Sequence, residues 1–283
     1  MEPHHSTADQ IRAALLAADL TTAQEGLRLL EAALDAPTLQ DRDGIALAVA
    51  CVDALVAFVV REDLGREDFR SASLRTCALM AMDRAVLRKM LVDSETFWLF
   101  LSAPRGGLVA LAAKEDPGDL TADDAYDLAC QMACFGIVWG WGLASLVARS
   151  PDDEATDRQT AFFMGIIGQP VGGFSLPLSP MAPKPASDAS IERICLLLLD
   201  LLRASQAEVS TPPMLLVGAW LSIEEACHSR VAPALALVDA GLMELAAEYI
   251  RRSQPLERVR RIAPVPNVSS GFGCMWAVKE VFE

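Results

Sequence analysis

The sequence predicts an all-α protein, and three observations carry the expectation. Ala and Leu dominate, while Tyr occurs only twice and Asn once (Asn267), a bias toward strong helix formers and away from the residues of β structure. Apolar residues recur three and four apart over most of the chain, and strand-like alternation is scarce. Helix start signals, in which a side chain can satisfy the unpaired amides of a first turn, are frequent. With 283 residues the chain can bury a core without disulfide or metal staples, and 52% hydrophobic against 22% charged residues excludes intrinsic disorder.

Taken in chain order, Thr7 with Gln10 forms a reciprocal capping pattern that opens a helix over 8–19. Leu27, Leu30 and Leu34 set one face of a helix over 22–35. Over 43–62, Cys51, Leu55 and Val59 share a face, with Val52 and Val56 beside it and Asp53 interrupting the apolar run. The same periodicity predicts helices over 68–82, 84–92, 95–102 and 106–114. Thr121 with Asp124 caps a long one over 122–149, and Ser150-Pro151-Asp152-Asp153 precedes another over 156–167. A helix over 189–205 is followed by Thr211-Pro212-Pro213, which opens 212–228, because the missing N–H of proline costs nothing in a first turn. Ser222 with Glu225 fits the capping pattern once more, and helices over 231–239, 242–252 and 274–282 complete the series.

Gly168 to Ser187 breaks the pattern. Pro170, Pro177, Pro180, Pro183 and Pro185, with Gly168, Gly172 and Gly173, disfavour a continuous helix. Pro177, Pro180 and Pro183 fall at the polyproline II period, but the basic flank that SH3-type ligands carry is not well placed, so the stretch reads as an irregular surface loop. The expected organisation is a helical region over 1–167, a Pro/Gly-rich insertion over 168–187, and a second helical region over 188–283 continuous with the first.

Two segments echo each other. In Val86 to Leu99 a helix runs into Val92-Asp93-Ser94 and a second helix begins almost at once. Leu237-Val238-Asp239-Ala240-Gly241-Leu242-Met243-Glu244-Leu245 does the same, with Leu235 and Val238 supplying an apolar face before the turn and Leu242 and Leu245 resuming one after it. This later segment resembles the helix–turn–helix junction of armadillo repeats, in which a short turn with Gly separates consecutive packed helices; the earlier echo has Ser94 in place of the Gly. The resemblance implies an armadillo- or HEAT-like α-solenoid of short stacked helices. It also implies a non-enzymatic scaffold that binds another protein along a helical groove. Because the repeat period is not clean, an irregular helical bundle is the competing architecture.

The chemistry-bearing residues are few. No Walker loop, Gly-x-Ser-x-Gly elbow or His-Glu-x-x-His motif occurs, and Gly140-Trp141-Gly142 lacks the third glycine and preceding strand of a dinucleotide fingerprint. Cys130 and Cys134 lie four apart, but no second pair completes a tetrahedral metal set. His228 beside Cys227 is not a base facing a nucleophile, since adjacent helical residues diverge by about 100°. Glu115, Asp116, Asp119, Asp123, Asp124 and Asp127 lack the ligand alternation of a calcium loop and read as a solvated stretch whose last members complement a helix N-terminus. No catalytic, cofactor or metal residue is therefore expected; a small-molecule enzyme ranks behind both the scaffold and a membrane-associated protein.

The membrane alternative rests on 128–148, which carries no formal charge and is long enough to span a bilayer, with Gly136, Gly140 and Gly142 suited to close packing. Gln131 and the absence of a second such span favour a helix buried in protein. The N-terminus, Met1-Glu2-Pro3-His4-His5, is polar and leads into an acidic amphipathic stretch, unlike a secretory signal, and the seven cysteines are scattered in apolar helical contexts. Buried thiols and a cytoplasmic location are expected. A net charge of −14 opposes nucleic-acid binding. Against that background Arg251, Arg252, Arg258, Arg260 and Arg261 form a local positive patch, either a helix end complementing its dipole or a docking site for an anionic partner.

Overall fold

The computed structural model describes residues 3–34, 42–82, 100, 103, 105–133, 186–207, 211, 213–229 and 231–252. Every regular element among them is helical, as the composition predicts. The chain divides into two compact units, Met1–Arg105 and Gly106–Glu283.

In the first unit, α1 (Pro3–Leu15) packs on α2 (Leu20–Leu34) and α3 (Arg42–Val59), and α3 packs on α4 (Arg66–Met82). The periodic positions point inward: Ile11 and Leu15, then Ala23, Leu27 and Leu30, then Cys51, Leu55 and Val59 are all buried, and Phe58 and Phe69 fill the space between helices. Burying side chains of this size stabilises by roughly 1.5–3 kcal/mol each. Polar ties add specificity between α2 and α4, with Gln24 donating to Asp68 (2.7 Å) and Ser71 to Glu31 (2.8 Å).

The first boundary differs from the sequence reading. Thr7 does not cap a helix, because α1 begins at Pro3 and Thr7 lies in its second turn; proline is well suited to a first helical position. The helix also stops at Leu15 rather than continuing to 19. Asp19 instead caps α2, its carboxylate accepting from the Thr22 amide at 2.8 Å and its carbonyl from Ala23 at 3.2 Å, and the hydrogen bonds from the Thr22 amide and hydroxyl hold its carboxyl below the usual range. Arg61, just after α3, donates to the carbonyls of Ala17 (2.6 Å) and Ala18 (2.9 Å) while Asp63 grips its guanidinium from the other side, so the carbonyls past the end of α1 are satisfied by a residue over forty positions away.

In the second unit, α5 (Gly107–Ala113) leads through a 3₁₀ turn (Pro117–Asp119) to α6 over 122–133, and then come α7 (Asp188–Ala207), α8 (Pro213–Ser229), α9 (Val231–Asp239) and α10 (Leu242–Arg252). Helix α7 packs on α8 and α9, α8 on α9, and α9 on α10. The capping box at Thr121 forms as expected: the Asp124 carboxylate accepts from the Thr121 amide at 2.8 Å, and the Asp124 amide lies 3.4 Å from the Thr121 hydroxyl. The one expected at Ser222 does not. Helix α8 is continuous there, and the Ser222 hydroxyl donates to the Gly218 carbonyl one turn back, at 2.7 Å.

Helices α6 and α8 meet through small residues. A Cβ on Gly218 would lie 1.8 Å from the Ala129 carbonyl oxygen, so α8 approaches α6 at a distance that only glycine permits. Leu128 to Ala133 are all buried, the part of the uncharged 128–148 stretch that falls within the described residues. No helix among the described residues is long and apolar enough to cross a membrane. The expected helices over 84–92 and 156–167 and at 274–282, the Val86 to Leu99 echo and the Pro/Gly-rich stretch up to 185 lie outside the described residues, as do residues 134–149.

Candidate interaction surface

The segment that carries the repeat resemblance, α9 and α10, folds as two helices with a sharp turn between them. Helix α9 ends at Asp239; the amides of Ala240 and Gly241 turn back to the carbonyls of Ala236 and Val238, both at 3.0 Å, and Gly241 takes a φ of 86°. A left-handed glycine in this place is a standard helix stop, because an L side chain would collide with its own backbone. The chain then restarts at once, with Leu245 donating to the Gly241 carbonyl at 3.2 Å. From α7, Arg203 donates to the Ala240 carbonyl and, at 3.0 Å, to Asp200, so the exposed turn is held by a cation that is itself held.

Leu242 and Leu245 face inward as the sequence reading expects, and Ala246 is buried with them. Before the turn the inward residues are Pro233 and Leu237, and the expectation for Leu235 is overturned: it is 61% exposed, and Val231, one turn earlier, is 75% exposed. The cause is the position of Leu237. Two residues correspond to about 200° of helix, so a helix that buries Leu237 must turn Leu235 outward. Pro233 can occupy the inward face because it lies in the first turn, where its lack of an N–H breaks no helix bond.

Beneath the turn, α10 is fixed to α7 and α8 by its tyrosine. The Tyr249 ring meets the fully buried Trp220 edge to face, with centroids 5.4 Å apart and an interplanar angle of 84°. Its hydroxyl lies 2.7 Å from that of Ser205, and both reach the Leu202 carbonyl, at 3.1 and 2.7 Å. Of the arginine cluster, Arg251 and Arg252 are the last two residues of α10; Arg258, Arg260 and Arg261 lie outside the described residues.

The acidic stretch is partly a set of internal caps. Glu115, Asp116, Asp119 and Asp123 are exposed, and Asp116 caps the 3₁₀ turn by accepting from Gly118 at 2.8 Å. Asp124 complements the N-terminus of α6 as expected, but it and Asp127 are buried in a row with Gln131 along α6 rather than solvated. Gln131 accepts from the Leu108 amide at 3.0 Å and so satisfies the first turn of α5. Burial pushes the Asp124 carboxyl up, but hydrogen bonds from Lys114 and from the amide and hydroxyl of Thr121 outweigh it and hold the carboxyl below its ordinary value. The sequence signal was the Thr121 box alone.

Cys51, Cys77, Cys130, Cys195 and Cys227 are buried, and Cys134 and Cys274 lie outside the described residues. Burial, reinforced by Glu224, pushes the Cys227 thiol up to about 12, and burial with the nearby Cys227 and Glu192 raises Cys195 as well. Both are thiols rather than nucleophilic thiolates near neutral pH. Among the described residues no group of three or more His, Cys, Asp or Glu is placed to hold a metal ion. No family model, curated protein or solved structure matches this chain.

Proposed function

We propose that this protein is a non-enzymatic scaffold of the armadillo-like class that binds another protein along a groove of stacked helices in the cytoplasm. The observation that carries this reading is the α9–α10 pair: two short helices separated by a left-handed glycine, seated on α7 and α8, with Val231 and Leu235 directed outward. Such a unit gives its inward face to neighbouring helices and leaves the opposite face for a partner. The arginine cluster of the sequence, Arg251, Arg252, Arg258, Arg260 and Arg261, would supply the positive charge for an anionic partner.

A photo-crosslinking residue placed at Leu235 in the full-length chain tests the reading in cells, with the same residue at exposed Arg28 of α2 as the control. The expected result is one discrete protein adduct from position 235 and none from position 28, weakened by Arg260→Glu. Equal or absent crosslinking at both positions, or retention of the purified protein by lipid vesicles through 128–148, would replace the scaffold reading.

A further inference from the structure

We draw no further inference here: the strongest candidate, the exposed apolar pair Val231 and Leu235 on the outward face of α9, belongs to the surface already described, and nothing in the structure shows what covers it.

Discussion

Replacing Gly241 by Val tests the turn on which the repeat resemblance rests. At a φ of 86° a β-branched residue is strained by roughly 1–3 kcal/mol. A Cβ would also come within 3.2 Å of the Arg203 guanidinium, but that group is the far end of a long, exposed side chain, so shifting it costs little beyond the bonds it gives to the Ala240 carbonyl and Asp200. Backbone strain therefore decides the outcome. In urea, with a slope of about 2 kcal/mol/M, a loss of that size lowers the unfolding midpoint by roughly 0.5–1.5 M at unchanged slope. Two companions separate strain from crowding: Gly241→Asn, whose side chain tolerates the left-handed region, should cost less than half as much, and Gly241→Ala should fall between them. Equal costs for all three, or a Val variant as stable as the parent, would refute the argument. A further check is Gly241→Val in an Arg203→Ala background; a coupling above about 0.5 kcal/mol would mean that crowding, not φ, dominates.

Other perturbations probe the packing, the charges and the thiols. Gly218→Ala gains about 1 kcal/mol of helix propensity, yet its methyl would overlap the Ala129 carbonyl, so net destabilisation of about 2 kcal/mol or more is expected by urea melt; a stabilised variant would mean α6 and α8 are not in close contact. Asp124 has a depressed carboxyl in the fold, so its contribution is fully present above the unfolded value of about 4 and is lost as the pH falls through the folded one; Asp124→Asn should be less stable at pH 7 and flatten the acid limb of the stability profile. Folded protein should alkylate Cys195 and Cys227 slowly with iodoacetamide at pH 7.5, measured by peptide mass spectrometry, and rapidly in denaturant; fast labelling of the folded chain would contradict their burial. Arg260→Glu should leave the unfolding free energy from a urea melt within about 0.5 kcal/mol of the parent while weakening capture of an anionic partner.

Helix identity was legible because it depends on spacing within one segment. Leu27 and Leu30 are buried for the reason their period implies, and Pro213 opens α8 as proline in a first turn should. Boundaries were less legible, since they depend on distant residues. Asp19 could end one helix or start the next; Arg61, which takes up the carbonyls of Ala17 and Ala18, favours the second, and nothing near Asp19 in the sequence announces that contact. Asp127 and Gln131 were hidden in the same way. An acidic residue in an acidic stretch reads as solvated until the fold buries it, and the amide that Gln131 satisfies belongs to Leu108, 23 residues earlier.

The outward face of α9 shows why the glycine was readable and the surface beside it was not. Val231, Leu235, Leu237 and Val238 surround a nine-residue helix with apolar side chains, so periodicity has no polar side from which to choose a direction. Gly241, in the left-handed conformation that stops α9, marks where the chain reverses, but it does not fix the rotation of α9 about its own axis. That rotation is set by packing: α9 lies against α7 and α8 with Pro233 and Leu237 buried, and α10 follows with Leu242 and Leu245 buried and Tyr249 against Trp220. Val231 and Leu235 are thus exposed as a consequence of the internal packing. Their free-energy cost in water is what a partner covering this face would recover, roughly 25 cal/mol for each Å² of apolar surface removed from solvent. Leu235→Asp should therefore leave the urea midpoint almost unmoved and weaken binding of the partner identified by crosslinking, whereas Leu237→Asp, which places a charge in the interior, should unfold the second unit. If the two substitutions cost the same stability, α9 is rotated relative to the structure, and the outward face passes to other residues.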